Sequence, residues 1–142
     1  MAELYLNFAE AAYQSAGPDV EVSGMTAREA VNKVRERVGM PALPEGLTKD
    51  QFEIRYRNER RVELAFEGQR YFDVRRWKIL SETDGFVTGM KITRSGNGFS
   101  YERIKLPSRS TSAEKYLLYP IKQSEVSKMQ KFTGENWQNP NW

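Results

Sequence analysis

The sequence predicts a mainly α domain with one small β-hairpin and an irregular C-terminal tail, and three observations predict it. Two capping boxes, Thr26-Ala27-Arg28-Glu29 and Thr48-Lys49-Asp50-Gln51, each open a run with helical character. Phe86 to Ile92 and Phe99 to Leu106 have strand-like composition, and Ser95-Gly96-Asn97-Gly98 between them supplies turn chemistry. The 142 residues, 39% hydrophobic and 29% charged, suffice for one hydrophobic core and fall short of two ordinary domains. The expected organisation is a single domain over 1–142. It is helical over 1–80, a hairpin over 86–106, and loops, a short helix and an anchored tail over 107–142.

Glu3 to Ser15 reads as the first helix. Its polar positions Glu3, Asn7, Glu10 and Gln14 form one stripe, and nearly everything else is apolar or small. A helix apolar over most of its circumference is expected to sit between neighbours on several sides. Gly17-Pro18 ends it. In the second helix Ala27, Ala30, Val31, Val34 and Val38 recur at spacings of three and four, and Gly39 and Pro41 stop it. Small residues on two helices joined by a turn suggest a close-packed, tetratricopeptide-like helical hairpin, although no second copy is present. A third helix is expected from Lys49 to Glu67 and a fourth from Gln69 to about Leu80, separated by Gly68. Beyond the hairpin, Pro107 to Ala113 reads as a polar loop and Tyr116 to Ile121 as a short buried extended stretch. Gln123 to Gln130 is a short helix. The tail from Gly134 holds Trp137, Pro140 and Trp142 and is expected to be tied down.

Two absences narrow the function. With no Cys, disulfides, thiolate metal sites, Cys nucleophiles and a lipid-bearing Cys are all excluded from this chain. With no His, the commonest general base, the usual zinc ligand and every Ser-His-Asp triad go too. No catalytic residue, metal or cofactor is expected. No apolar run approaches the roughly 18 residues of a membrane span, and the first residues lack the features of a secretory signal. The net charge of +3 permits an anionic partner without demanding one.

The densest information lies between Ile54 and Trp77. Arg and aromatic residues interleave there in a pattern that suits stacked bases and phosphates. However, the seven Arg from Arg55 to Arg76 are interrupted by Glu59, Glu63, Glu67 and Asp73, and carboxylates on a phosphate-binding face repel its ligand. The simpler reading pairs Arg55 with Glu59, Arg60 with Glu63 and Glu53 with Arg57, an ion-pair network crosslinking two helices. The carboxylate pairs Glu59/Glu63 and Glu63/Glu67 are weak catalytic candidates. They share one helix face beside Arg, whereas a glycosidase needs carboxylates about 5 to 10 Å apart across a bond, one with a raised pKa.

The run from Glu59 to Trp77 closely resembles the signature of the SusD/RagB family. Leu4 to Ala11, Ala30 to Pro41, Tyr116 to Ile121 and Gln138 to Trp142 resemble further landmarks of that family, in the same order. The resemblance implies a surface lipoprotein of the Bacteroidetes outer membrane with tetratricopeptide-like helices. It also implies binding of oligosaccharides or other nutrients without chemistry on them, and partnership with a SusC-like TonB-dependent transporter. Intact members are several times longer and carry a lipoprotein signal and an acylated Cys, so the chain is expected to be a C-terminal part. Lys122 stands where the family usually has Pro, and Asn141 where it usually has Gly, so slightly different final turns are expected.

Ligand-binding aromatics vary within such a family and are not carried over. The weak candidates are Tyr101, on the hairpin, and Trp137 and Trp142, in the tail, whose flat faces suit a pyranose. Each also has a packing explanation, and Trp77, inside the signature, is read as core. The alternative from another class is a structural fragment that forms a homodimer through a face left exposed by truncation. A basic helical nucleic-acid binder is the least favoured reading, and no nucleic-acid partner is expected.

Overall fold

The computed structural model describes residues 1–83, 87–106 and 114–142. The chain falls into two compact units, Met1–Arg70 and Tyr71–Trp142. Among the described residues there are six helices and two small antiparallel hairpins, the mainly α class that the sequence predicts. The polar loop expected over 107–113 lies outside the described residues, as do Asp84, Gly85 and Phe86.

In the first unit, α1 (Ala2–Ser15) leads through a short hairpin, β1 (Glu21–Val22) with β2 (Met25–Thr26), into α2 (Ala27–Glu36). The hairpin was not anticipated. Its turn residues, Ser23 at φ 51° and Gly24 at φ 85°, are both left-handed, as a type I′ hairpin turn requires. Both expected capping boxes form. Thr26 receives the Glu29 amide at 3.1 Å while the Glu29 carboxylate takes the Thr26 amide at 2.7 Å, and Thr48 and Gln51 repeat the exchange at the start of α3 (Lys49–Glu63). Those bonds, the Thr26 amide first, hold the Glu29 carboxyl below its usual range.

Ala9 and Ala12 of α1 and Ala27, Ala30, Val31 and Val34 of α2 are buried, which is the close-packed helical hairpin expected from their small side chains. Val38, assigned to the same face, is exposed because α2 ends at Glu36. The α1–α3 contact is built differently. Tyr13, Phe52 and Tyr56 form an aromatic triangle with ring centroids 5.3, 5.4 and 6.4 Å apart. Flanking it, the polar stripe of α1 meets α3 residue by residue. Asn7 accepts from Arg60 at 2.7 Å, Glu10 from the Tyr56 hydroxyl at 2.8 Å, and Glu53 from the Tyr13 hydroxyl at 3.2 Å. Glu3 accepts from Gln69 at 3.1 Å and the Gln14 carbonyl from Lys49 at 3.0 Å. Rising numbers on α1 meet falling numbers on α3, so the helices run antiparallel. The outer flank of α1 is open instead of enclosed. Leu4 is 66% exposed, and it joins Met1, Tyr5, Phe8 and Met25 along a groove of about 480 Å³.

The ion-pair network crosslinks helices, with partners other than the nearest in sequence. Glu59 pairs with Arg35 and Glu63 with Arg37 at 2.6 Å, tying α3 to α2 and its following turn; only Glu53–Arg57, at 2.6 Å, is a pair along the helix as anticipated. Arg35 also donates to the Pro41 carbonyl at 2.7 Å, fixing the loop after α2. α3 ends at Glu63, four residues earlier than expected. Leu64 to Gly68 make a turn in which Phe66 takes φ 67° and is fully exposed.

In the second unit, α4 (Gln69–Arg76, its first two residues belonging to the first unit) stops short of the expected Leu80. Lys78 turns left-handed at φ 58°, and α5 (Leu80–Thr83) follows. β3 (Val87–Ser95) and β4 (Gly98–Leu106) pair in register from Val87 opposite Leu106 to Ser95 opposite Gly98. Gly96, at φ 59°, opens the two-residue turn. Tyr116 to Ile121 is neither extended throughout nor buried: a 3₁₀ turn occupies Glu114–Leu117, and Leu118 and Tyr119 are exposed. α6 (Gln123–Thr133) ends on left-handed Gly134. Lys122 has φ −56°, which proline also adopts, and Asn141 has φ 68°, which asparagine tolerates best after glycine.

The buried Tyr13 hydroxyl predicts a pH dependence. Burial, with Glu53 and Glu10 nearby, pushes its pKa from 10.0 up to about 12. The folded chain holds this proton more tightly than the unfolded one. Its contribution is therefore complete below pH 10 and is lost as pH rises towards 12. Unfolding free energies from urea titration should fall between pH 9 and pH 11.5 by on the order of 2 kcal/mol more in the parent than in Tyr13→Phe. Equal losses in both proteins exclude Tyr13 as the source.

Candidate functional site

The chemistry that the second unit concentrates begins on α4. Asp73 and Val74 are its buried residues, and Asp73, only 3% exposed, receives both Nε and a terminal nitrogen of Arg76 at 2.9 Å. That clamp fixes the face one turn away. Tyr71 and Arg75, four residues apart, share a side of the helix. The Arg75 guanidinium carbon lies 3.4 Å from the Tyr71 ring centroid, and its Nη1 donates to the Tyr71 carbonyl at 2.8 Å. The Tyr71 ring also stacks on Tyr119 at 5.7 Å and meets Phe72 edge-on at 5.3 Å. The hydrogen bond with Tyr71, first among its causes, raises the Tyr119 hydroxyl above its usual pKa.

A cavity of about 750 Å³ opens beside these groups, within the size range of small-molecule sites. Phe72, Leu118, Tyr119 and Pro140 give it apolar surface. Arg75, Arg76, Lys78 and Lys115 give it positive charge, against one carboxylate among the described residues, Glu114. The far wall depends on the tail. Gln138 bonds the Ile121 amide at 2.7 Å and carbonyl at 2.9 Å with one side-chain amide, and Asn139 donates to the Tyr119 carbonyl at 2.5 Å. The Trp142 indole donates to the Lys115 and Leu118 carbonyls at 2.8 and 3.2 Å.

None of the three residues singled out from sequence lines this cavity. Tyr101 lies on β4 opposite Ile92 and is 66% exposed. Trp137 is 49% exposed. Trp142 is 43% exposed, edge-on to Tyr116 at 5.9 Å, and acts through the wall it holds. Trp77 is half-buried beneath the Arg76 guanidinium, 4.7 Å away, and is no full core residue. The sequence pattern singles out none of Phe72, Arg75, Lys115 and Tyr119, which line the cavity. The Tyr71/Arg75 spacing of four was the available signal. In the first unit, Glu59 and Glu63 are each engaged by a guanidinium from α2 or its turn, so this pair serves packing. Among the described residues no cluster of acidic residues suits a metal, and no helix is long and apolar enough to cross a membrane.

The fold and cavity define a mainly helical chain with a small-molecule-sized recess rimmed by aromatic and cationic groups. The chain belongs to the SusD family, whose model matches residues 1–142, its whole length. No curated protein and no solved structure matches it. Members of this family are binding proteins, not enzymes. They serve glycan or nutrient uptake at the outer-membrane surface, generally with SusC-like transporters.

The tail contacts predict a local effect. Trp142→Ala removes two hydrogen bonds and the Tyr116 contact, a cost of about 1–2 kcal/mol. Limited trypsin digestion followed by mass spectrometry should cut faster after Lys115 in the variant. Unchanged cleavage there means that Trp142 does not hold the wall.

Proposed function

We propose that this chain binds a glycan or related nutrient without chemical change, as part of an outer-membrane uptake system served by a SusC-like TonB-dependent transporter. The ligand site is the recess beside α4. The observation carrying this reading is the aromatic surface of Phe72 and Tyr119 beside fixed cationic donors, since a pyranose presents an apolar face for stacking and hydroxyls for hydrogen bonds. Membership of a family of binding proteins supports it. The lack of His and of Cys agrees with a role that needs no nucleophile or imidazole base. Surface attachment through a lipid on a longer parent protein belongs to the same proposal.

A second reading has its own observation. The open groove along Met1, Leu4, Tyr5 and Phe8 of α1 is an apolar face of the kind that pairs two copies. A structural fragment that dimerises there would associate with concentration and bind no sugar.

A glycan-array screen of the purified chain, followed by tryptophan fluorescence titration of each hit, separates the two. Saturable binding is expected, with chromatography recovering the glycan intact. Phe72→Ala and Tyr119→Ala should each weaken binding about three- to tenfold, while Tyr101→Ala and Trp137→Ala leave it unchanged. A folded chain that binds nothing on the array removes the glycan reading. Concentration-dependent association in light scattering then favours the second.

A further inference from the structure

Resting on the reading of the α4 recess as a saccharide site, we propose that its ligand is anionic, a saccharide bearing a carboxylate or sulfate group held by Arg75 and Lys115. Several guanidinium groups in the chain serve packing. Arg28 meets Asp19, Arg35 meets Glu59, Arg37 meets Glu63, Arg57 meets Glu53 and Arg76 meets Asp73. Each has a carboxylate. Among the described residues, Arg75, Lys78 and Lys115 have none, although all three line one cavity.

Arg75 is the sharpest case. One terminal nitrogen is spent on the Tyr71 carbonyl, and the guanidinium is held over the Tyr71 ring, yet its Nε is buried without a hydrogen-bond acceptor. A buried donor left unmade is costly, and an anionic oxygen is the acceptor that a guanidinium binds best. Lys115 is fixed without being neutralised: its Nζ lies 5.0 Å from the Trp142 ring centroid and 5.3 Å from that of Tyr116. Ring faces position a cation and leave its charge available. The same wall offers Tyr119, Leu118 and Pro140 to the apolar face of a sugar ring. Fixed cations beside an apolar platform match a charged pyranose better than a neutral one, for which unpaired cations in the recess only add desolvation.

The test is calorimetric titration of the full chain with matched pairs. Trigalacturonate is set against its methyl ester, and a sulfated galactan oligomer against its desulfated form. At least tenfold tighter binding of the acidic member, weakening with salt and lost at least tenfold in Arg75→Gln and in Lys115→Gln, supports the proposal. Whichever pair responds identifies the anionic group. Lys115 Nζ makes no hydrogen bond among the described residues, so Lys115→Gln carries the test should Arg75→Gln fail to fold by circular dichroism. Neutral members bound as tightly as charged ones overturn the anionic ligand and leave the saccharide reading standing. No binding of any saccharide, charged or neutral, by a folded chain overturns both. A single-stranded oligonucleotide bound more tightly than either acid replaces the saccharide with a nucleic acid.

Discussion

The antiparallel contact between α1 and α3 is the constraint on which the first unit depends. An α-helix that is apolar almost all round has no preferred rotation about its axis, because every orientation buries a similar area. The polar stripe of α1 removes that freedom. Asn7 and Glu10 find their partners, Arg60 and Tyr56, on one face of α3 alone. Turning α1 by one residue moves them out of reach. Arg60 is only 4% exposed, so losing the Asn7 acceptor removes a hydrogen bond from a buried charge, a change that typically costs about 1.5–3 kcal/mol. The apolar triangle of Tyr13, Phe52 and Tyr56 supplies attraction, and the polar contacts beside it set the register.

The same economy of charge separates the two units. In the first, Arg28, Arg35, Arg37 and Arg57 are each matched to a carboxylate, and the network from Glu53 to Glu63 joins α3 to α2 and to the turn that follows it. In the second, Asp73 with Arg76 is such a clamp, and among the described residues positive charge stands along a recess. A net charge of +3 over the chain conceals this, because the excess is not spread evenly. Surface charge in excess is cheap where water reaches it, and it becomes informative where a donor is buried. Arg75 Nε is such a donor.

What was legible in the sequence was local. Both capping boxes and the Gly96 turn depend on residues within three or four positions, and all form as written. Helix ends were harder. Phe66 and Lys78 turn left-handed although neither residue type favours it, so nothing in the sequence marked the breaks at Glu63 and Arg76. The partners of Glu59 and Glu63 were misassigned because neighbour rules along one helix know nothing of Arg35 and Arg37, which lie 24 and 26 residues away. The recess was illegible for the same reason. Its walls come from three separated segments around Arg75, Lys115 and Pro140, and the Tyr116–Ile121 stretch looked apolar enough to be core. Family resemblance was legible throughout because its landmarks are short and ordered, though it named no ligand residue.

The proposal divides frame and recognition between the units, and amide hydrogen exchange tests that division most directly. It is read by segment in the full chain, with and without a saturating saccharide taken from the array. New protection is predicted in 71–78, 114–121 and 138–142, with exchange in α1, α2 and α3 unchanged. Protection gained in α1 or α3, or in the hairpin around Tyr101, with none beside Arg75, would contradict it and place recognition elsewhere in the chain.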